Sequence, residues 1–283
     1  MEAAGLQLNQ NVEAPSGKHA GQENFPVGSF LIRPALRPHV HAFYNFARHA
    51  DDIADSATLA PAEKLARLGV IKDVLAGRRE AGSPSAVALR ESLARTGVTV
   101  AHAEGLLHAF CQDAEKSRYE SWDELLAYCR YSAMPVGRHV LDLHGEDRAT
   151  WAPSDALCAS LQILNHLQDV AKDLAALDRC YLPQDWLLQA GASVADVRGA
   201  AETPALRKVF DLLLDECVAL NATAADLPRR VRDRRLRVET AIIVNLANCL
   251  TARLRRRDPI ATRVKLTPSD VARSLAGALR YLP

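Results

Sequence analysis

Apolar residues recur every three or four positions beyond residue 34, in a stretch rich in Ala, Leu, Arg and Glu. This spacing places apolar side chains along one face of a helix, whereas a half-buried strand needs strict alternation, of which there is almost none. The chain is therefore predicted to be all-α. Predicted helices cover residues 37–55, 61–77, 84–95, 99–117, 121–146, 153–177, 204–224, 230–256 and 267–281.

The residues that begin and end helices support these boundaries. Ser121 and Ser154 are suited to N-caps, and Gly77 and Gly97 are suited to helix ends. Pro135 falls inside the predicted helix 121–146, where it removes a backbone hydrogen bond. We expect that helix to kink at Pro135.

The chain has 283 residues, of which 48% are hydrophobic, so it can form a sizeable core. No linker rich in Pro, Ser or Gly divides it, and residues 23–283 are predicted to form one domain. Residues 1–22 contain no sustained apolar run and are predicted to be a flexible tail rather than a signal peptide.

Composition excludes several classes of protein. Lys and Arg number 35 against 34 Asp and Glu, a net charge of +1 that excludes a globally basic nucleic-acid binder. The six cysteines are scattered without a CxxC pair, which indicates core thiols in a reducing, cytoplasmic compartment. The best apolar run, residues 241–250, is too short to span a bilayer.

Carboxylates cluster on the helix predicted over residues 37–55. Arg48, Asp51 and Asp55 share one face, while Asp52 lies about 100° away and is a weaker candidate ligand. Because two carboxylates at i and i+4 repel each other, a cation between them is the natural compensation. The alternative is a solvated acidic helix end.

A second polar stripe runs along a largely apolar helix. It consists of Gln162, Asn165, Asp169 and Asp173, at spacings of three, four and four. Carboxylates on a buried helix need cations or donors. If the two helices face each other, their hard oxygen ligands suit Mg²⁺ and a phosphate-bearing substrate, with Arg48 and Arg179 available to phosphate oxygens. The alternative is two unrelated surface helices.

Apolar and aromatic residues near these motifs are candidates for the walls of a substrate cavity. They are Phe25, Phe43, Tyr44, Tyr128, Ala133, Val136 and Leu161. Aromatic faces stabilise positive charge, as ionisation of a diphosphate to a carbocation requires. The alternative for each of them is ordinary core packing.

Three ordered motifs resemble the squalene/phytoene synthase family over roughly residues 23–280. They are Arg48-x-x-Asp51-Asp52-x-x-Asp55, the run from Tyr128 to Gly137, and Gln162-x-x-Asn165-x-x-x-Asp169-x-x-x-Asp173. The resemblance implies the class I isoprenoid synthase helical fold, with a central cavity and Mg²⁺. It further implies that Asp51, Asp55, Asp169 and Asp173 are catalytic metal ligands, with Asp52 beside them.

The resemblance also implies roles for residues that contact the substrate. By that carry-over Arg48, Asn165, Arg179 and Tyr181 assist diphosphate binding, together with Gln162. Tyr128 matches the family tyrosine beside the reacting carbons. Phe25, Tyr44 and Ala133 are then expected to contact the prenyl chains.

Two departures from the family pattern favour one branch. Squalene and phytoene synthases usually carry Arg at the position of Gln168 and Val-Ala-Gly in the middle motif, which here reads Ser132-Ala133-Met134-Pro135. With the opening residues 23–27, these changes are similar to the hopanoid-pathway branch. That branch implies conversion of presqualene diphosphate and water to hydroxysqualene and diphosphate, without NADPH. The branch pattern has Asn where Met134 stands, so this chain lacks that amide.

Three other interpretations remain open at this stage. The nearest is a squalene, dehydrosqualene, phytoene or presqualene diphosphate synthase acting on a prenyl diphosphate such as farnesyl diphosphate. A head-to-tail elongase or terpene cyclase would normally carry a different second metal motif from that at residues 162–173. A non-catalytic helical scaffold would have no need of all four aspartates.

Positive charge is concentrated between residues 229 and 265. This stretch has 11 Arg and one Lys against three acidic residues, a net charge of +9. It predicts peripheral contact with anionic lipid at the inner face of a membrane, near other squalene-pathway enzymes. The alternative is a solvated face with ion pairs to the acidic remainder.

Overall fold

The computed structural model describes residues 11–13 and 31–281. Within these ranges the chain is almost entirely helical, and its β-structure is one isolated bridge between Tyr119 and Pro183. The all-α prediction is confirmed. The chain divides into two compact units, one up to Glu115 and one from Lys116. The single domain over residues 23–283 stays a prediction.

The first unit contains four helices. They are α1 (Arg37–Ala54), α2 (Pro61–Leu75), α3 (Pro84–Thr96) and α4 (Ala101–Glu115). Helix α1 packs against the other three and buries Phe43, Phe46 and Ile53. Proline in the first turns of α1, α2 and α3 is suited to their starts, because those N–H groups have no partner within the helix. Helix α3 ends on Gly97 in the left-handed region, as predicted.

Residues 11–13 lie within the predicted tail, and they pack onto this unit. Val12 is buried, and its N–H donates to Gly82 O at 2.9 Å. The buried Glu13 carboxylate accepts hydrogen bonds from the Ser85 amide at 2.9 Å and from the Ser83 hydroxyl, and it lies 2.9 Å from His49 Nδ1. This short segment therefore joins the start of α3 to α1. Phe25 lies outside the described residues.

The second unit contains nine helices among its described residues. They are α5 (Trp122–Ser132), α6 (Met134–Leu143), α7 (Trp151–Gln168), α8 (Val170–Leu177), α9 (Gln184–Ala190), α10 (Pro204–Ala224), α11 (Leu227–Arg230), α12 (Arg234–Leu254) and α13 (Pro268–Ala278). Helix α7 packs against α5, α6, α10 and α12 and forms the centre of the unit. No helix in the described part of the chain is long and apolar enough to cross a bilayer.

The prediction of one kinked helix over residues 121–146 is wrong. The helix breaks at Ala133, whose φ of −129° and ψ of −48° separate α5 from α6, and Pro135 lies in the first turn of α6. Proline cannot donate an N–H to the preceding turn, so it is tolerated at a helix start. Ser121 caps α5 as predicted, accepting a hydrogen bond from the Glu124 amide.

The single helix predicted over residues 153–177 is also two helices. Helix α7 begins at Trp151 after a 3-10 turn, so Ser154 lies inside it and is not the N-cap. The break comes at Asp169, with φ −107° and ψ 9°. Backbone bonds from Asp169 N to Asn165 O and from Asp173 N to Asp169 O continue across the break. The polar stripe therefore stays on one side of α7 and α8.

Candidate active site

The last turn of α1 carries three carboxylates. Asp51 and Asp52 lie in that turn, and Asp55 is the C-cap residue, with its N–H donating to Asp51 O at 2.8 Å. A helix C-terminus carries partial negative charge, so three carboxylates there are unfavourable without cations. One compensating cation is Lys64 of α2, whose Nζ donates to Ala54 O at 2.8 Å.

Arg48 binds two of these carboxylates. Its Nε and Nη2 donate to one oxygen of Asp52 at 3.0 and 2.6 Å, and Nη2 also pairs with Asp51. The Asp52 side chain is 3% exposed and that of Asp51 is 30% exposed. Asp52 therefore holds the guanidinium from the buried side, while Asp51 keeps an accessible carboxylate. We propose that Asp52 positions Arg48 rather than ligating a metal ion.

Asp169, at the junction of α7 and α8, forms an ion pair with Arg263, which lies 94 positions later in the chain. Arg263 Nε donates to Asp169 Oδ1 at 2.6 Å, and Nη2 donates to Oδ2 at 2.9 Å. Hydrogen bonding to Asp169 raises the pKa of Arg263. Burial acts in the opposite direction, and the negative charges of Asp169 and Asp173 raise the pKa further. Sequence reasoning placed Arg263 only within a basic stretch, since no local pattern connects it to Asp169.

Gln168 explains how that arginine is brought into place. Its buried side-chain amide donates to Val264 O at 2.5 Å, next to Arg263 in sequence. The two consecutive residues Gln168 and Asp169 thus hold two consecutive residues of the segment after α12. Gln168, where squalene and phytoene synthases usually carry Arg, therefore has a structural role in this chain.

A tight turn after α8 returns the chain toward α7. Asp178 has a φ of 49°, and its side chain accepts hydrogen bonds from Arg118 at 2.9 Å and Arg198 at 3.1 Å. The buried Arg179 follows, and its Nη1 lies 3.3 Å from the hydroxyl of Tyr181. The predicted pair Arg179 and Tyr181 is therefore in direct contact.

Aromatic rings of the second unit form one cluster. The ring centroids of Tyr119 and Tyr128 are 5.2 Å apart, and Tyr181 is 5.5 Å from Tyr119 and 5.8 Å from Tyr128. All three are buried. Sequence reasoning named Tyr128 and Tyr181 but missed Tyr119, which precedes α5 in a loop.

His166 completes this cluster from α7. Its ring stacks on Tyr181 with centroids 3.4 Å apart and planes 14° apart, and it lies 6.2 Å from Tyr128. Burial, together with the positive charge of Arg179, lowers the pKa of His166 to about 3. The imidazole is therefore neutral at physiological pH. Its contacts place it beside Tyr128.

The remaining predicted wall residues lie in different environments. Tyr44 on α1 and Leu161 on α7 are partly exposed. Phe43 is buried in the core of the first unit, and Ala133 is buried at the break between α5 and α6. Val136 is 41% exposed.

The donor set of each unit has the chemistry that Mg²⁺ requires. Asp51 and Asp55 supply carboxylate oxygens one helical turn apart, and Asp169 and Asp173 do so in the second unit. Within the described ranges no three His, Cys, Asp or Glu side chains converge to hold a metal ion. Guanidinium groups now pair with Asp51 and Asp169. The residue types therefore fit the ion, which would replace arginine at these oxygens.

Comparison with known proteins gives consistent matches over most of the chain. The family model for squalene/phytoene synthase matches residues 18–270. A hydroxysqualene synthase of Rhodopseudomonas palustris is 46% identical over 94% of this chain and 91% of its own length. One from Sinorhizobium fredii is 45% identical over 91% of this chain and 88% of its own.

Solved structures agree with this fold. Squalene synthase HpnC from Alicyclobacillus acidocaldarius superposes with a TM-score of 0.72 at 33% identity, covering 81% of this chain and 87% of that one. A dehydrosqualene synthase superposes with a TM-score of 0.74 at 20% identity, covering 92% of each chain, and supports the fold alone. The chain belongs to the squalene/phytoene synthase family.

Proposed function

We propose that this protein converts presqualene diphosphate and water to hydroxysqualene and diphosphate, with Mg²⁺. The observation that carries the proposal is the identity of 45–46% with hydroxysqualene synthases over about nine tenths of both chains. The phytoene synthases that match are more distant, for example 30% identical over 74% of this chain for that of Pseudescherichia vulneris. The proposal also agrees with the sequence motifs.

The first step breaks the bond between carbon and the diphosphate oxygen, and the electron pair leaves with the diphosphate. Mg²⁺ supplies positive charge to this leaving group when bound. Its proposed ligands are Asp51 and Asp55 in the first unit and Asp169 and Asp173 in the second. Arg48, fixed by the buried Asp52, offers a guanidinium to the diphosphate oxygens. Arg179, whose Nη1 lies 3.3 Å from the Tyr181 hydroxyl, is a second guanidinium for this role. The family resemblance adds Asn165 and Gln162 as further groups for diphosphate binding.

The resulting cyclopropylcarbinyl cation rearranges before it is captured. Tyr119, Tyr128 and Tyr181 form a buried aromatic cluster whose π faces stabilise positive charge. The neutral His166 stacked on Tyr181 adds no competing positive charge at physiological pH. These π faces therefore favour a cation, and the guanidinium of Arg179 beside Tyr181 is the group proposed to meet the departing diphosphate.

Water capture ends the reaction without a reductant. The water oxygen bonds to the rearranged cation and then loses one proton, which gives the alcohol hydroxysqualene. No hydride is transferred, so the reaction needs no NADPH. A squalene-forming enzyme would instead require a hydride donor at this step.

The experiment that tests the proposal uses the full chain, Mg²⁺ and presqualene diphosphate in H₂¹⁸O, with mass spectrometry of the extracted lipid. The expected product is hydroxysqualene that carries one ¹⁸O atom without added NADPH. Squalene formed only with NADPH, or a C30 product formed directly from farnesyl diphosphate, would contradict the proposal. It would identify the protein as a squalene, dehydrosqualene, phytoene or presqualene diphosphate synthase instead. No turnover of either substrate would favour the non-catalytic scaffold.

The chemistry of substrate and product also bears on where the enzyme acts. Both carry long hydrocarbon chains that partition into bilayers. We therefore propose a cytoplasmic enzyme that works peripherally at the inner face of the membrane, where it would exchange intermediates with other squalene-pathway enzymes.

A further inference from the structure

Helix α13 presents an apolar face to its surroundings. Val271, Leu275 and Leu279 recur at intervals of four and are 41%, 46% and 61% exposed. Ala272 and Ala276 beside them are also exposed. We call these five residues the α13 apolar face. On the side of the helix that adjoins Val271, Ser274 and Ala278 are buried, and α13 packs against α12.

The orientation of this face is fixed by the start of the helix. Thr267 caps α13, and its N–H and hydroxyl donate to Asp270 at 2.8 and 2.7 Å. Arg253 of α12 donates to the same Asp270 carboxylate and to Thr267 Oγ1, the latter at 2.7 Å. Three buried or part-buried polar groups thus clamp α13 to α12. The apolar face is therefore a fixed surface of the unit.

Arginines border the face along one edge. On a helical wheel at 100° per residue, Arg273 and Arg280 come directly after the arc from Val271 to Ala276. The Arg273 side chain is 71% exposed. Residues 253–281 contain seven Arg and one Lys against two Asp, a net charge of +6 in a chain whose net charge is +1.

Ion pairs account for part of the positive charge in the basic stretch at residues 229–265 and near α13. Arg253 and Arg273 both pair with Asp270, and Arg263 pairs with Asp169. Arg230, Arg232 and Arg255 pair with Asp226, Asp147 and Asp215 of the second unit. Arg256, Arg257 and Lys265, by contrast, are exposed residues leading toward α13. Excess positive charge and exposed apolar surface therefore occur together at this end of the second unit.

We propose that α13 docks the protein on an anionic lipid bilayer. In that position the apolar face enters the boundary between headgroups and acyl chains, and Arg273 and Arg280 meet lipid phosphates. A second copy on the same face would bring two strongly basic surfaces together, which is unfavourable. The proposal extends the membrane contact under the proposed function by naming its surface, and its test does not depend on turnover.

The test measures sedimentation of the full chain with vesicles of phosphatidylcholine alone and of phosphatidylcholine with phosphatidylglycerol. We expect binding only to the anionic vesicles, with release at high salt. The triple variant Val271→Ser, Leu275→Ser, Leu279→Ser should bind roughly tenfold more weakly. Leu188→Ser is the matched control, because Leu188 is 81% exposed on α9 and lies outside the face.

Several outcomes would overturn the proposal. They are absence of wild-type binding to anionic vesicles, equal binding by the triple variant and the wild type, and an equal loss in Leu188→Ser. A dimer that the triple variant dissolves would instead identify the face as a self-association surface. Circular dichroism and thermal unfolding of each variant verify that it is folded.

The docking proposal and the proposed reaction fail in different ways. Turnover is measured separately with detergent-solubilised presqualene diphosphate, where docking is not required. Hydroxysqualene formation without vesicle binding would contradict docking alone. Vesicle binding that depends on the α13 apolar face, without hydroxysqualene formation, would support docking and contradict the proposed reaction.

Discussion

Arg263 and Asp169 form a two-point ion pair, with Nε 2.6 Å from Oδ1 and Nη2 2.9 Å from Oδ2. Both oxygens of a proposed metal ligand are thereby used. Parallel bonds of this kind combine charge with fixed geometry and are stronger than a single contact. A metal ion at Asp169 must therefore displace the guanidinium or share the carboxylate with it.

This competition predicts that Arg263→Gln binds Mg²⁺ or Mn²⁺ more tightly than the wild type in the absence of substrate. The Arg263 side chain is 37% exposed, so solvent screens the pair and it is worth about 1 kcal/mol at most. We expect an increase in metal affinity of up to about fivefold. Titration calorimetry, or Mn²⁺ paramagnetic resonance, measures it directly.

Arg198→Gln is the matched control for Arg263→Gln. Arg198 pairs with Asp178, which is not a proposed ligand, at 3.1 Å in the same unit, and its loss should leave metal affinity unchanged. Equal or weaker metal binding by Arg263→Gln would show that Arg263 does not compete for Asp169.

The different burial of two neighbouring aspartates predicts different kinetic effects. Asp52→Asn removes the charge that holds Arg48, so we expect a higher KM for the diphosphate substrate and an unchanged Mg²⁺ requirement. Asp51→Asn removes a proposed ligand and should greatly raise the Mg²⁺ concentration for half-maximal turnover. Mg²⁺ titrations of both variants at saturating substrate test this. The same rise in Mg²⁺ requirement for both would return Asp52 to the ligand set.

His166 predicts a pH dependence of stability. Its pKa is about 3 in the folded protein and near 6.5 when unfolded, because burial and Arg179 disfavour the charged form. Between these values only the unfolded chain binds the proton, so stability should fall as pH falls from 6.5 toward 3, by at most about 1.4 kcal/mol per pH unit. Urea unfolding at several pH values measures this slope.

His166→Phe is the variant that isolates this effect, since it keeps a ring for stacking on Tyr181 and cannot titrate. The slope of stability against pH should be smaller in His166→Phe over the same window. An NMR titration of His166 that shows protonation near pH 6.5 in the folded protein would contradict the prediction.

Local sequence patterns predict much of this fold because they act over one or two helical turns. The period of three to four residues locates the main helices, and proline and glycine locate several ends. The breaks at Ala133 and Asp169 are harder to predict. In the first case, proline favours a new helix start over a kink. In the second, the backbone bonds of Asp169 and Asp173 continue the register, so nothing in the spacing reveals the bend.

Local sequence patterns also predict only part of the candidate site, because some of its contacts join residues far apart in the sequence. Asp51, Asp55, Asp169 and Asp173 are visible as stripes, because ligands on one helix share its period. The contact between Arg263 and Asp169 has no such pattern in the sequence, because only tertiary packing brings the two residues together. The burial of Asp52 against Arg48 likewise could not be predicted from the motif, because it depends on how α1 packs in the folded unit.

Close packing of α6 on α7 predicts a severe effect of Gly137→Ala. A Cβ atom at Gly137 would lie 2.7 Å from Cys158 Sγ and still closer to Ser154 Oγ. Both residues are on α7, where Ser154 is buried and Cys158 is half-buried. Overpacking of this kind typically costs 1–3 kcal/mol, so we expect a loss of about 2 kcal/mol in the free energy of unfolding. Urea unfolding measures it.

Gly69→Ala is the control for this substitution, because Gly69 lies inside α2 and a Cβ there meets nothing within 4 Å. Alanine has the higher helix propensity, so Gly69→Ala should stabilise the protein by about 0.5–1 kcal/mol. Adding Ser154→Gly and Cys158→Ala to Gly137→Ala should restore part of the loss, since these changes remove the atoms that the new methyl group meets. Equal stability of Gly137→Ala and the wild type would show that α6 and α7 separate readily at this crossing.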